Sequence, residues 1–186
     1  MKDAGPGLVQ LYTGNGKGKT TCALGAGLRA AGHGLNVLMI SFMKAKVASR
    51  GDHEDVNYGE FRSIEGIPNF TIVPVGRETF VDKEDPDPVD IEMAQKGLRM
   101  AQRALEEHTC DVLILDEINV AVEWNLISLE DQLSLIMMKP PDVELIMTGR
   151  YARPEAIEAA DLVTEMREIK HYYATRKILA RKGFEF

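Results

Sequence analysis

Residues 8–22 read LVQLYTGNGKGKTTC. A short apolar run, Leu8 to Tyr12, ends in a loop of alternating glycine and lysine that opens directly into an alanine- and leucine-rich segment. Strand, tight loop, helix is the arrangement in which glycine amides and a helix N-terminus hold phosphate. The loop departs from the usual G-x-x-x-x-G-K-[ST] pattern. Gly18-Lys19-Thr20 supplies its end, yet the first glycine would fall on Thr13, and read from Gly14 the loop is one residue short. The stretch therefore reads as a phosphate loop of altered register.

The same alternation continues outward. NVLMISF (36–42), FTIVPV (70–75), DVLILD (111–116), VELIMT (143–148) and LVTEM (162–166) join LVQLY (8–12) as predicted strands. Several carry few polar residues, as strands covered on both faces do. TTCALGAGLRAAGHG predicts a helix stopped by Gly32 and Gly34. A second helix runs from Pro88 through Glu107, Ser128-Leu-Glu-Asp131 resembles a capping box ahead of QLSLIMMK, and Pro154 opens a short helix. Strands alternating with helices predict an α/β fold. It would be a mostly parallel sheet of about six strands with helices on both faces, P-loop NTPase-like (RecA-like), in a single domain over residues 1–186. Residues 44–68 and 76–87 resist assignment; loops of that length are more often functional than idle, although the DKEDPDP run reads first as a solvated turn.

Composition bounds the function. At 186 residues, 45% hydrophobic and 27% charged, the chain can bury a core without covalent staples. Its net charge of −7 argues against nucleic acid or an anionic membrane as partner, so any anion must be held by local geometry. Cys22 and Cys110 form neither a CxxC pair nor a metal cluster and read as two small core residues in a reducing cytoplasm. MKDAGPG lacks the apolar core of a secretory signal, and the longest apolar run, Val37 to Met43, is too short to span a bilayer. A cytoplasmic location is the expectation.

Ligands of a parallel α/β sheet bind beyond the carboxyl ends of its strands, and three predicted strands bring chemistry there. After the first, Gly14, Gly16 and Gly18 let backbone N–H groups turn inward, Lys17 and Lys19 add charge, and Thr20 stands where the motif puts a hydroxyl on Mg²⁺. DVLILDE sets Asp116 and Glu117 at the end of another strand, as hard oxygen donors for a divalent cation. Gly149-Arg150 follows VELIMT, where the guanidinium either meets a phosphate or faces water. Arg29, further along the first helix, either reaches the loop or sits in a helix-face ion pair.

With these pieces placed, TGNGKGKTT (13–21), LRAAGHGLNV (28–37), VLILDE (112–117), TGR (148–150) and ADLVTEMREIKHYYATRKILARKGFEF (160–186) resemble one family. It is the P-loop ATP:corrinoid adenosyltransferases, also called cob(I)alamin or cob(I)yrinic acid a,c-diamide adenosyltransferases. The resemblance runs over residues 8–186. It implies transfer of the 5′-deoxyadenosyl group of ATP to the Co(I) of a reduced corrinoid (cobalamin, cobinamide or cobyrinic acid a,c-diamide). Tripolyphosphate would be released, in adenosylcobalamin biosynthesis or corrinoid salvage. It also implies ATP as co-substrate, Mg²⁺ or Mn²⁺, a homodimer, and an electron-donor protein such as a flavodoxin.

Position by position, the resemblance implicates Gly14, Asn15, Gly16, Lys17, Gly18, Lys19, Thr20 and Thr21 in triphosphate binding. It implicates Arg29 and Arg150 as nucleotide contacts, Thr20, Asp116 and Glu117 around the metal, and Lys19 and Glu117 in catalysis. Members of the family bind ATP in the reverse sense from ordinary P-loop enzymes, so that the ribose C5′ meets the nucleophile. A kinase exposes the γ-phosphorus instead. A loop of shifted register with an extra lysine suits that different task.

Two departures bear on the expectation. Relatives carry a longer segment before the loop, including a helix over the partner subunit's active site; here that lid is expected to be missing or replaced. Some place a Phe and a Trp after the third strand to exclude the lower cobalt ligand, where this chain has VGRETFVDKED. Phe80 takes part of that role or packs, and Trp124 reads first as packing. His171, Tyr172 and Tyr173 line a corrinoid face or, as the first reading, form a buried C-terminal cluster; Met137 and Met138 belong to a core stripe. Two rival functions would use the same loop: a small P-loop phosphotransferase or ATPase, and a nucleotide-gated corrinoid carrier with little turnover.

Overall fold

The computed structural model describes residues 5–45, 47–50 and 53–186. Strand β1 (Val9–Thr13) enters the glycine-lysine loop, and helix α1 (Lys19–Gly32) carries the chain to β2 (Val37–Phe42). A hairpin of β3 (Val47–Arg50) and β4 (His53–Asn57) and a short helix α2 (Gly59–Ile64) precede β5 (Phe70–Val75). Helix α3 (Pro88–Glu106) leads to β6 (Val112–Asp116); α4 (Ile118–Glu123) and α5 (Leu129–Met138) lead to β7 (Glu144–Thr148). Helix α6 (Pro154–Ala159), β8 (Leu162–Glu165) and α7 (Tyr172–Arg176) follow.

The main sheet has six strands in the order β5-β2-β6-β7-β1-β8, and every neighbouring pair is parallel. All six predicted strands are in it. Burial explains why the central ones are so apolar. Along β6, Val112 and Ile114 join the core beneath α1, while Leu113 and Leu115 join the core beneath α3 and α5. Residues one apart face opposite sides of a pleated sheet, so a strand with helices on both faces needs no polar positions. The edge strand β8 is different: its four residues are all exposed.

Helix starts follow their sequence signals. Ser128 caps α5, its Oγ accepting the Asp131 N–H at 3.0 Å and donating to Asp131 Oδ2 at 2.8 Å, so both bonds of the cap run through the serine hydroxyl. The acidic run is more than a solvated turn. Asp87 caps α3 by accepting the Val89 N–H at 2.9 Å, and Arg77 clamps that start by bonding Asp87 at 3.0 Å and the buried Asp90 at 2.5 Å. The unassigned stretch 44–68 holds the small hairpin and α2, in their described residues.

Two packing expectations are corrected. Met137 is 86% exposed, because it lies two residues, roughly 200° of helix, beyond the buried Leu135; Met138 alone reaches the core. Cys110 is buried, but Cys22 is exposed. Trp124, the C-cap of α4, packs against the core. Among the described residues no helix is long and apolar enough to cross a membrane.

Candidate active site

Strands β6, β7 and β1 are neighbours in the sheet, so their carboxyl ends deliver Asp116-Glu117, Thr148-Gly149-Arg150 and the glycine-lysine loop to one place. Gly14 has φ 94° and Gly18 φ 122°, left-handed conformations that a side chain would strain. Gly16 is demanded by space instead. A Cβ there would stand 2.7 Å from Met166 O and 2.8 Å from Arg167 C, and its N–H donates to Met166 O at 2.6 Å. The segment after β8 thus braces the loop from behind. Lys19, buried at the start of α1, donates Nζ to Gly14 O at 2.7 Å and Gly16 O at 2.8 Å, pulling the loop into a closed turn. Burial and the nearby Arg150 lower its pKa, while Glu117 and Asp116 oppose the shift.

Asp116 is fully buried and accepts three hydrogen bonds. Its Oδ1 accepts from Thr20 Oγ1 at 2.9 Å and Thr148 Oγ1 at 2.7 Å, and its Oδ2 accepts Lys44 Nζ at 2.7 Å. Thr148 in turn accepts the Glu117 N–H at 3.0 Å. Glu117 sits at φ 64°, a strained left-handed turn between β6 and α4 that swings its carboxylate toward the cleft. Burial raises the Glu117 pKa, and the charge of Asp116 beside it raises it further; Lys44, Lys19 and Arg150 pull the other way.

This donor set suits a hard divalent cation. Thr20 gives its hydrogen to Asp116, which leaves oxygen lone pairs for a metal, and Glu117 is a carboxylate crowded by a like charge. Asp116, with both oxygens accepting hydrogen bonds, orients the Thr20 hydroxyl. Among the described residues no three His, Cys, Asp or Glu converge, so phosphate oxygens and water would complete a Mg²⁺ shell.

The cleft encloses about 850 Å³. Its floor is the loop from Asn15 to Thr21 with Lys44, Glu117 and Arg150. Another wall comes from α2, through Tyr58 and Ser63, and a third from the C-terminal segment, including Tyr172, Leu179 and Phe184. That segment is tied down: Lys17 Nζ donates to Phe184 O at 2.9 Å, Tyr172 hydroxyl bonds Glu185, and the Glu185 carboxylate accepts the Arg181 N–H at 2.6 Å. The Arg181 guanidinium lies 4.9 Å from the Tyr172 ring and 4.7 Å from the Phe184 ring.

The sequence of the whole chain now has a place in a lineage. A sequence model of the ATP:corrinoid adenosyltransferases BtuR/CobO/CobP matches residues 5–186. The chain belongs to the ATP:corrinoid adenosyltransferase family. It is 33% identical to a corrinoid adenosyltransferase of Pseudomonas aeruginosa over 97% of this chain and 84% of that protein. It is 31% identical to the corrinoid adenosyltransferase CobA of Salmonella typhimurium over 97% of this chain and 86% of that protein. In fold it resembles a KaiC-like protein of Pyrococcus horikoshii, with a TM-score of 0.54, covering 89% of this chain and 75% of that one at 16% identity. That likeness shows the fold alone, an α/β architecture built on a parallel sheet.

For an adenosyltransferase of this family, the geometry brings together most of the residues expected at the site, with one correction. Asn15 to Thr21, Glu117 and Arg150 line the cleft, and Gly14 and Asp116 lie directly behind it. Arg29 does not join them. It lies ten residues along α1 from Lys19, about 15 Å of helical rise, and lines a separate depression at the other end of the strands with Gln10 and Glu144. His171, Tyr172 and Tyr173 line the cleft and are not the buried cluster first expected, because α7 lies beyond the last strand with no sheet face to bury against. Phe80 is 80% exposed. Lys44 was missed, although a lysine directly after an apolar strand carries the same positional signal that singled out Asp116.

Proposed function

We propose that the protein transfers the 5′-deoxyadenosyl group of ATP to the Co(I) centre of a reduced corrinoid and releases tripolyphosphate. The observation that carries this reading is the convergence, in one cleft, of the glycine-lysine loop, the Thr20–Asp116 pair and Glu117 beneath a long apolar and aromatic wall. The loop amides, Lys17 and Lys19 would hold the polyphosphate, with Arg150 at its edge. When bound, Mg²⁺ would neutralise charge on the polyphosphate, held by the Thr20 hydroxyl and Glu117.

The reaction suits a site of this kind because it moves no proton. Cobalt supplies an electron pair to C5′, a Co–C bond forms, and the C5′–O bond to the α-phosphate breaks. The triphosphate leaves with that bonding pair, and cobalt passes formally from Co(I) to Co(III). The residues therefore need only align the ribose carbon and stabilise the leaving charge. Asp116, engaged by Thr20, Thr148 and Lys44, fits this role better than that of a general base. An electron donor such as a flavodoxin would supply the electron that takes the corrinoid's Co(II) to Co(I).

The test is anaerobic incubation with MgATP and chemically reduced cobalamin, followed by visible spectroscopy for the alkylcobalt product and an assay for tripolyphosphate. Formation of both in equal amounts is the expected result. Release of ADP or orthophosphate with cobalt unalkylated would overturn the reading in favour of a phosphotransferase or ATPase.

A further inference from the structure

We infer that Lys44 is a third lysine of the triphosphate site, contributed by the end of β2, and that it donates to phosphate oxygens while holding Asp116. This rests on the reading of the cleft given above. Three observations carry it. The first is geometry: Nζ lies 2.7 Å from Asp116 Oδ2, and the side chain, 16% exposed, lines the same cleft as Lys19, Thr20 and Glu117. An ammonium has three N–H donors, and Asp116 takes one. The others are at the edge of the cleft that the loop lysines also line.

The second is the backbone. Met43 holds φ 56°, an uncommon conformation for a residue with a side chain, and it directly precedes Lys44. Gly76 packs against this turn so closely that a Cβ would stand 2.5 Å from both Lys44 N and Met43 C. Two separate stretches of chain therefore hold the turn that brings Lys44 off the end of β2. Strain of this kind persists where the surrounding structure enforces it, and it concentrates at working sites.

The third is charge. The Lys44 ammonium is ion-paired at 2.7 Å with the fully buried Asp116, so a cation stands at the floor of the cleft. Its ring neighbour is Tyr58, with Nζ 5.5 Å from the centroid. A fixed cation beside a departing polyanion stabilises charge without reorganisation.

The competing role is neutralisation of Asp116 alone, and a double-variant titration separates the two. Tripolyphosphate binding with Mg²⁺ is measured by calorimetry on the full chain for wild type, Lys44→Met, Asp116→Asn and the Lys44→Met/Asp116→Asn pair. Loss of a charged hydrogen bond predicts about a 10- to 100-fold weakening for Lys44→Met. A similar weakening should separate Asp116→Asn from the double variant, where no charge is left to neutralise. Lys44→Arg should keep most of the affinity. Equal affinities in the Asp116→Asn background, or wild-type affinity in Lys44→Met, would overturn the inference. Failure of wild type itself to bind tripolyphosphate would instead bring down the reading of the cleft, and the inference with it.

Discussion

Thr20 and Asp116 stand 96 residues apart in sequence and are joined Oγ1 to Oδ1 at 2.9 Å, with Thr148 donating to the same oxygen. The bond fixes which way the Thr20 hydroxyl presents its lone pairs. A Thr20→Val variant keeps the shape and loses the oxygen. The Mg²⁺ concentration for half-maximal transfer should rise about 10- to 100-fold in it, the usual cost of disturbing a metal's support, while Thr20→Ser should stay near wild type. Titration of MgCl₂ at fixed ATP measures this, and unchanged Mg²⁺ dependence in Thr20→Val would show the hydroxyl lies off the metal.

Lys19 and Glu117 carry charge into a buried place and are costly there, as their opposed pKa shifts record. Lys19→Ala and Glu117→Ala should each slow adenosyl transfer by about 10²–10³, the range for losing one well-placed electrostatic group. Circular dichroism should show the same fold in both variants, with some loss of melting temperature in Lys19→Ala, which gives up its bonds to the Gly14 and Gly16 carbonyls. Near-normal rates in either variant would mean the site is wrongly placed.

Two glycines separate space from conformation. Gly16→Ala drives a methyl into the Met166 and Arg167 backbone, which cannot step aside as a side chain would, and should cost about 1–3 kcal/mol together with nucleotide affinity. Gly25, exposed in the middle of α1, should respond oppositely, because a methyl added there would meet nothing within 4 Å. Gly25→Ala should stabilise by about 0.5–1 kcal/mol. Urea denaturation of both variants gives the comparison directly.

The C-terminal wall should be acid-sensitive. The Tyr172 hydroxyl, then the Arg181 N–H, hold the Glu185 carboxyl far below its ordinary 4.5, at about 2. A depressed acid stabilises the structure above its ordinary pKa and ceases to do so as pH falls through the lowered one. NMR signals of Ala180 and Gly183 should therefore move toward disordered values between about pH 4.5 and 2. In Glu185→Gln they should be displaced already at neutral pH and show no such transition.

Thiol chemistry reports on the core. Cys22 is exposed, whereas burial pushes the Cys110 thiol up to about 11. At pH 8 a disulfide reagent should titrate Cys22 quickly in the native protein and reach Cys110 only after unfolding. Fast reaction at both would mean that the packing around Cys110 is looser than described.

What could be read from the sequence followed from periodicity. Strands buried on both faces, such as Val112–Asp116, announce themselves as unbroken apolar runs, and the loop between a strand and a helix needs no tertiary information to be recognised. Capping signals at Ser128 and Pro154 worked for the same local reason. What escaped depends on contacts far apart in the chain. Lys44 is unremarked until Asp116 stands beside it, and α7 reads as one more core cluster until it is found over the loop. Arg29 erred in the other direction: it is close to the loop in sequence, but a helix spends residues on length, so ten positions carried it away from the site.

Strand β1 lies between β7 and β8, and the loop that follows it is fastened to Met166 and Phe184. A nascent chain that has only reached β6 therefore carries β1 with neither of its sheet neighbours, and the cradle stays unfinished until translation has passed residue 184. Pairings so distant in the chain form slowly. Nascent chains that lack β7 and β8 should accordingly be unable to capture nucleotide, and competence should arrive abruptly once the segment through Phe184 has joined the loop.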